Sequence, residues 1–181
     1  SKEAVLAAYG IREDGKKVLL HLSVGNKENR DSWLTFLHDM TERGLNEPMV
    51  IVSDGNPGVI KACREVFPNS LKQRCQVHKM RNILARLPKA AIREMKPMIQ
   101  KIFTADNYQA ARAAGLRLIA RFKDKFSAAM ECFDKDLEGT IQCLKLPSEH
   151  RVRVRTTNML ERLFAEAKRR TKVIPYFQSE K

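Results

Sequence analysis

The apolar pattern of this chain changes at Pro88, and that change limits its fold more than any other feature. Before Pro88, short β-branched runs alternate with helical periodicity. After it, Met98, Ile102, Ala110, Ala113, Leu116, Ile119 and Phe122 recur at helical spacing, with few strand signals as far as Leu146. A chain of this kind is expected to be an α/β unit interrupted by an all-helical insertion. Three segments follow: 1–88 as the first part of the α/β core, 89–150 as the insertion, and 151–181 as a C-terminal helix completing the core.

Within the first segment, Ala4–Ile11 and Lys17–Val24 flank Asp14-Gly15 and read as an antiparallel hairpin. Trp33, Phe36, Leu37 and Met40 mark a helix that stops at Gly44. Met49–Val52 has the continuous apolar character of a strand buried on both faces. Asn56-Pro57 then reads as the cap and first residue of a helix reaching about Val66. Leu71–Arg74 is a short strand, and Val77, Met80, Leu84 and Leu87 form a helix stopped by Pro88. A hairpin leading into alternating elements predicts one mixed sheet flanked by helices, with a site at the carboxyl ends of its parallel strands. Asp54 sits at such an end.

The 181 residues carry a net charge of +13, and the excess is concentrated. Nine Lys/Arg lie in residues 71–101 against Glu94 alone, and eight in 151–172 against Glu161 and Glu166. Two such clusters are the footprint expected for a polyanion partner such as a nucleic acid. No apolar run approaches the length of a membrane span, and four cysteines without a paired framework suit a reduced cytoplasmic setting.

Asp54 is either a turn residue or a functional carboxylate at a strand end. Glu161, three residues after Asn158, is either the partner in a capping box or a ligand on the polar stripe of the last helix. Two carboxylates on a basic chain suit phosphodiester chemistry with magnesium, which takes hard oxygen ligands. Cys75 and His78 share one helical face, but no second pair at metal spacing accompanies them, which disfavours zinc. Arg74, His78 and Arg81 fall at i, i+4 and i+7, as a basic stripe would.

The segments Val50-Ile51-Val52-Ser53-Asp54-Gly55, Gln73-Arg74-Cys75-Gln76-Val77-His78 and Thr156-Thr157-Asn158-Met159-Leu160-Glu161-Arg162 resemble the Mutator-type bacterial insertion-sequence transposases. That resemblance implies a ribonuclease H-like core with a helical insertion before the last catalytic helix. It also implies an Asp-Asp-Glu triad working with Mg2+ or Mn2+. Asp54 would be the second aspartate and Glu161 the glutamate, with Cys75 and His78 the Cys-x-x-His element beside the active site. The family's first aspartate lies on a strand preceding Ala4–Ile11, so the chain is expected to be a core fragment, inactive alone. Expected DNA contacts are Arg74, Arg81, Asn158, Arg162, Arg169 and Arg170. A homodimer or higher assembly would synapse two element ends, in a nucleoid-associated protein. The alternatives are a non-catalytic DNA-binding module or regulator, and a stand-alone nuclease.

Overall fold

The computed structural model describes residues 4–25 and 29–171, with backbone alone at 4, 25, 167, 168, 170 and 171. Strands β1 (Ala4–Ile11) and β2 (Lys17–Gly25) pair antiparallel through a turn in which Gly15 adopts a φ of 77°. The register slips between Ala8 and Tyr9, opposite Leu20. The extra residue lets Leu20 join Leu6 and Ala8 on the inward face of the hairpin.

Helix α1 (Arg30–Glu42) starts where Asn29 Oδ1 accepts the Ser32 N–H at 2.9 Å, and buries Phe36, Leu37 and Met40. Helix α2 (Pro57–Val66) is capped in the same way by Asn56 and buries Val59, Ala62 and Cys63. Burial pushes the Cys63 thiol up to about 11, so it packs as an apolar group. These two helices and the hairpin enclose the first hydrophobic core. Strand β3 (Val50–Ser53) pairs in parallel with β4 (Leu71–Arg74), from Val50 opposite Leu71 to Ser53 opposite Arg74.

The second core belongs to the helices. Helices α3 (Gln76–Leu84), α4 (Lys89–Phe103), α5 (Tyr108–Phe122) and α6 (Ser127–Thr140) enclose Ile83, Met95, Ile99, Phe133 and Leu137. Ile83 and Leu87 therefore pack with the helical segment. A 3-10 turn (Gln142–Lys145), α7 (Ser148–Arg151) and a second 3-10 turn (Val152–Val154) lead into α8 (Asn158–Thr171). Helix α8 lies against β1, and the 152–154 turn lies against β3.

Buried polar side chains join the two halves. Gln73 Nε2 donates to Thr140 O at 2.7 Å, and its Oε1 accepts the Cys143 N–H at 2.7 Å. Gln76 Nε2 reaches the same Thr140 carbonyl at 3.1 Å. Lys79, 2% exposed, donates to Asp136 at 2.7 Å. A buried ammonium is retained only where a carboxylate compensates it, so this pair fixes where α6 docks on α3.

The elements follow the predicted order, but among the described residues no backbone ladder joins the hairpin to the parallel pair. Among the described residues, β1–β2 and β3–β4 are separate two-stranded ladders. The two ladders meet through side chains instead, with Leu6, Ala8 and Leu20 of the hairpin and Ile51 of β3 in the same core. Two boundaries also shift. Strand β3 begins at Val50, leaving Met49 exposed, and α3 ends at Leu84, with a turn closed by Leu87 N–H on Leu84 O at 3.1 Å.

Candidate active site

Two residues leave adjacent parallel strands at the same edge. Asp54 follows β3 and Cys75 follows β4, and the Cys75 N–H donates to Ser53 O at 2.8 Å, extending the ladder by one rung. Asp54 is exposed, and its Oδ1 accepts the Asn56 N–H at 3.0 Å, an Asx turn that aims the carboxylate out of the strand end. Gly55 has a φ of 88°, and a Cβ there would collide with the Arg74 guanidinium. Both facts demand glycine beside Asp54.

Glu161 reaches this edge through a chain of contacts. Cys75 Sγ accepts the Thr157 N–H at 3.4 Å and lies 3.4 Å from Thr157 Oγ1. His78 Nδ1 lies 3.2 Å from Cys75 Sγ and 3.3 Å from Thr157 Oγ1. On the other side of the ring, His78 Nε2 is 3.5 Å from Glu161 Oε1, and Arg81 Nη1 is 3.6 Å from Glu161 Oε2. The Gln76 N–H donates to Arg155 O at 3.0 Å and ties down the segment entering α8.

This arrangement corrects three expectations. Asn158 does not cap α8: it is the first helical residue, and the Leu160 N–H donates to Thr157 O at 2.9 Å. Glu161 faces His78 and Arg81 and closes no capping box, because α3 places two basic groups within reach of its carboxylate. Arg74 belongs to β4 and shares no stripe with His78 and Arg81. Its side chain is 11% exposed, its Nε lies 3.8 Å from Asp136, and its Nη1 is buried with no hydrogen-bond partner among the described residues.

The cationic cluster of residues 71–101 is also divided. Lys72 donates to the Phe67 and Ser70 carbonyls, burial lowers its pKa, and Lys79 is buried on Asp136. Arg81, Arg86, Lys89, Arg93, Lys96 and Lys101 stay exposed. On α8, Arg162 is exposed and Arg169 forms two hydrogen bonds with Glu166, at 2.9 and 2.7 Å. The side chain of Arg170 lies outside the described residues. Sequence reasoning assigned no role to Thr157, Asp136 or the buried Lys79. The signal for Thr157 was its place four residues before Glu161, one helical turn away; Asp136 carried none.

Among the described residues, no three His, Cys, Asp or Glu side chains converge as a metal cage. Asp54 and Glu161 carry carboxylate oxygens, the donor type that a hard cation such as Mg2+ or Mn2+ takes. Glu161 Oε1 is buried, with no hydrogen-bond partner among the described residues and His78 Nε2 3.5 Å away, which leaves Oε2, beside the exposed Arg81, to face such a cation. Among the described residues, no helix is long and apolar enough to cross a membrane.

A family model described as "Transposase, Mutator family" matches residues 1–181. The chain is 38% identical over 172 residues to the transposase for insertion sequence element IS6120 of Mycolicibacterium smegmatis, covering 95% of this chain and 53% of the relative. It is 37% identical over 168 residues to the transposase for IST2 of Acidithiobacillus ferrooxidans, covering 92% and 57%. The transposase for IS256 in transposon Tn4001 of Staphylococcus aureus is 34% identical over 175 residues, covering 96% and 45%. The chain thus spans about half the length of the curated relatives it matches. On the match along its whole length, this chain belongs to the Mutator family of transposases.

Proposed function

We propose that this chain is the catalytic core of an insertion-sequence transposase that cuts DNA at the element's ends and joins them to a target. Asp54 and Glu161 serve as metal-binding carboxylates in a ribonuclease H-like arrangement. The observation that carries this reading is the meeting of Cys75, His78, Thr157 and Glu161 directly beside the strand ends that Asp54 and Cys75 leave. The Asx turn at Asp54 and the Glu161 carboxylate, whose Oε2 has only the exposed Arg81 as its ion-pair neighbour, support it from both sides.

A bound Mg2+ or Mn2+ would neutralise phosphate charge and lower the pKa of water at the scissile bond. The chain's own residues do the rest. Asp54 presents a carboxylate oxygen to solvent at the rim, Glu161 presents one from α8, and the exposed Arg162 and Arg153 hold backbone phosphates, which positions DNA without reading its sequence. Synapsis of two ends calls for at least two copies of the protein.

The test uses the full-length protein carrying this chain and a marked element bearing the ends that flank its gene. Asp54→Asn and Glu161→Gln should each reduce excision and insertion to background while leaving salt-sensitive binding to the ends intact. Transposition at the unmodified level with either substitution overturns the assignment. Ends cut but never joined would instead identify a nuclease.

A further inference from the structure

The two oxygens of Glu161 meet different surroundings, and we infer from this that His78 is a positioning residue for Glu161 while Arg81 is its displaceable counter-ion. The inference rests on the proposed metal-binding role of Glu161. His78 is held from behind. Its Nδ1 faces Cys75 Sγ at 3.2 Å and Thr157 Oγ1 at 3.3 Å, and Cys75 is fully buried at the end of β4. With Nδ1 so engaged, the opposite nitrogen, Nε2, lies 3.5 Å from Glu161 Oε1, close enough to orient the carboxylate without a hydrogen bond to it.

The Thr157 N–H donates to Cys75 Sγ at 3.4 Å, and Cys75 Sγ and Thr157 Oγ1 both lie within reach of His78 Nδ1, so the side of the ring away from Glu161 is fixed by two neighbours. A histidine that orients a ligand through its second nitrogen is a recurrent outer-shell device, and its loss typically weakens metal affinity about 10–100-fold.

Arg81 is built differently. Its side chain is 63% exposed and approaches Glu161 Oε2 at 3.6 Å, beyond hydrogen-bond length, from the solvent side of α3. An exposed pair of this kind is weak. Arg81 therefore neutralises Oε2 in the free protein and leaves it when the carboxylate takes a divalent cation. The two neighbours on α3 then act in opposite directions: His78 strengthens metal binding and Arg81 weakens it.

The test is Mn2+ binding to the full-length protein, read from the free-ion electron paramagnetic resonance signal. His78→Ala should weaken binding about tenfold or more. His78→Gln, whose amide nitrogen replaces Nε2, should recover most of that loss, whereas His78→Asn, which replaces only Nδ1, should not. Arg81→Ala should tighten binding about two- to fivefold. If Glu161→Gln leaves Mn2+ binding unchanged, the metal role of Glu161 itself is wrong and the inference falls with it. If Glu161→Gln abolishes binding but Arg81→Ala weakens it, or His78→Asn rescues as well as His78→Gln, the metal reading stands and the inference is overturned. Thermal unfolding of each variant identifies any that fail to fold, and Thr157→Val, which leaves the His78 ring intact, then replaces His78→Ala with the same direction expected.

Discussion

The turn that carries Asp54 and the helix that carries Glu161 are held in opposite ways. Asp54 is shaped within five residues: its own Asx bond to Asn56, the left-handed Gly55, and the cap from Asn56 to the Gly58 N–H at 2.7 Å. Glu161 depends on Cys75, His78 and Arg81, some eighty positions earlier in the chain, and only Thr157 is local to it. A locally built carboxylate tolerates disturbance elsewhere. One built across the fold moves with whatever holds α3, and α3 is held by the helical segment.

The largest expected effect tests that dependence. Asp136→Ala removes the carboxylate that compensates Lys79, which is one residue from His78 and 2% exposed. Breaking a buried pair from one side leaves an uncompensated charge, so the loss should be about 3 kcal/mol by urea denaturation. Replacing both partners together, Lys79→Met with Asp136→Leu, should recover part of it, the remainder being the loss of the acid beside Arg74. A single-variant loss below about 1 kcal/mol would mean that Lys79 finds water, and the helical segment would then no longer brace the Glu161 side.

The contrast also explains what could be read in advance. Hairpin, caps and the Asp54 turn were legible because Asp14-Gly15, Asn56-Pro57 and Asp54-Gly55 encode their geometry in adjacent residues. Glu161 was legible as a residue but ambiguous in role, because Asn158 to Glu161 has the spacing of a capping box and nothing nearby announces His78 or Arg81. The same limit hid the partners of Arg74 and Lys79: as letters they are cations in a basic run, and only α6, folded back from sixty residues later, makes them interior. Strand pairing was the hardest to read. Whether β1 meets β3 depends on edges and not on composition, and among the described residues they do not pair.

A middle-sized effect probes the local side. Asn56→Ala removes the acceptor of the Gly58 N–H at the start of α2, and the cost should be about 1 kcal/mol, as for other lost N-caps. Mn2+ affinity should change far less than with His78→Ala, because the Asx bond of Asp54 uses the backbone N–H of residue 56, which alanine keeps. A Mn2+ loss as large as that of His78→Ala would show that the Asp54 turn is not self-contained.

The smallest effect lies at the opposite end of the same two strands. Glu47 accepts the Asn69 and Ser70 N–H groups at 2.6 and 2.9 Å and the Asn69 side-chain amide at 3.0 Å, joining the segments that enter β3 and β4. The Asn69 side-chain amide is the main cause of a carboxyl pKa held below the usual range. A folded pKa below the unfolded one adds stability that is present above the unfolded value and is lost as pH falls through the folded value. Between neutral pH and about pH 5 the melting temperatures of the protein and of Glu47→Gln should therefore stay a constant distance apart. On further acidification the unmodified protein should lose its advantage, and the two curves should converge. Curves that run parallel to the lowest pH would mean that Glu47 titrates alike in both states. The junction at the start of β3 and β4 would then owe its order to the parallel ladder itself, and the carboxyl edge bearing Asp54 and Cys75 would be fixed from one end only.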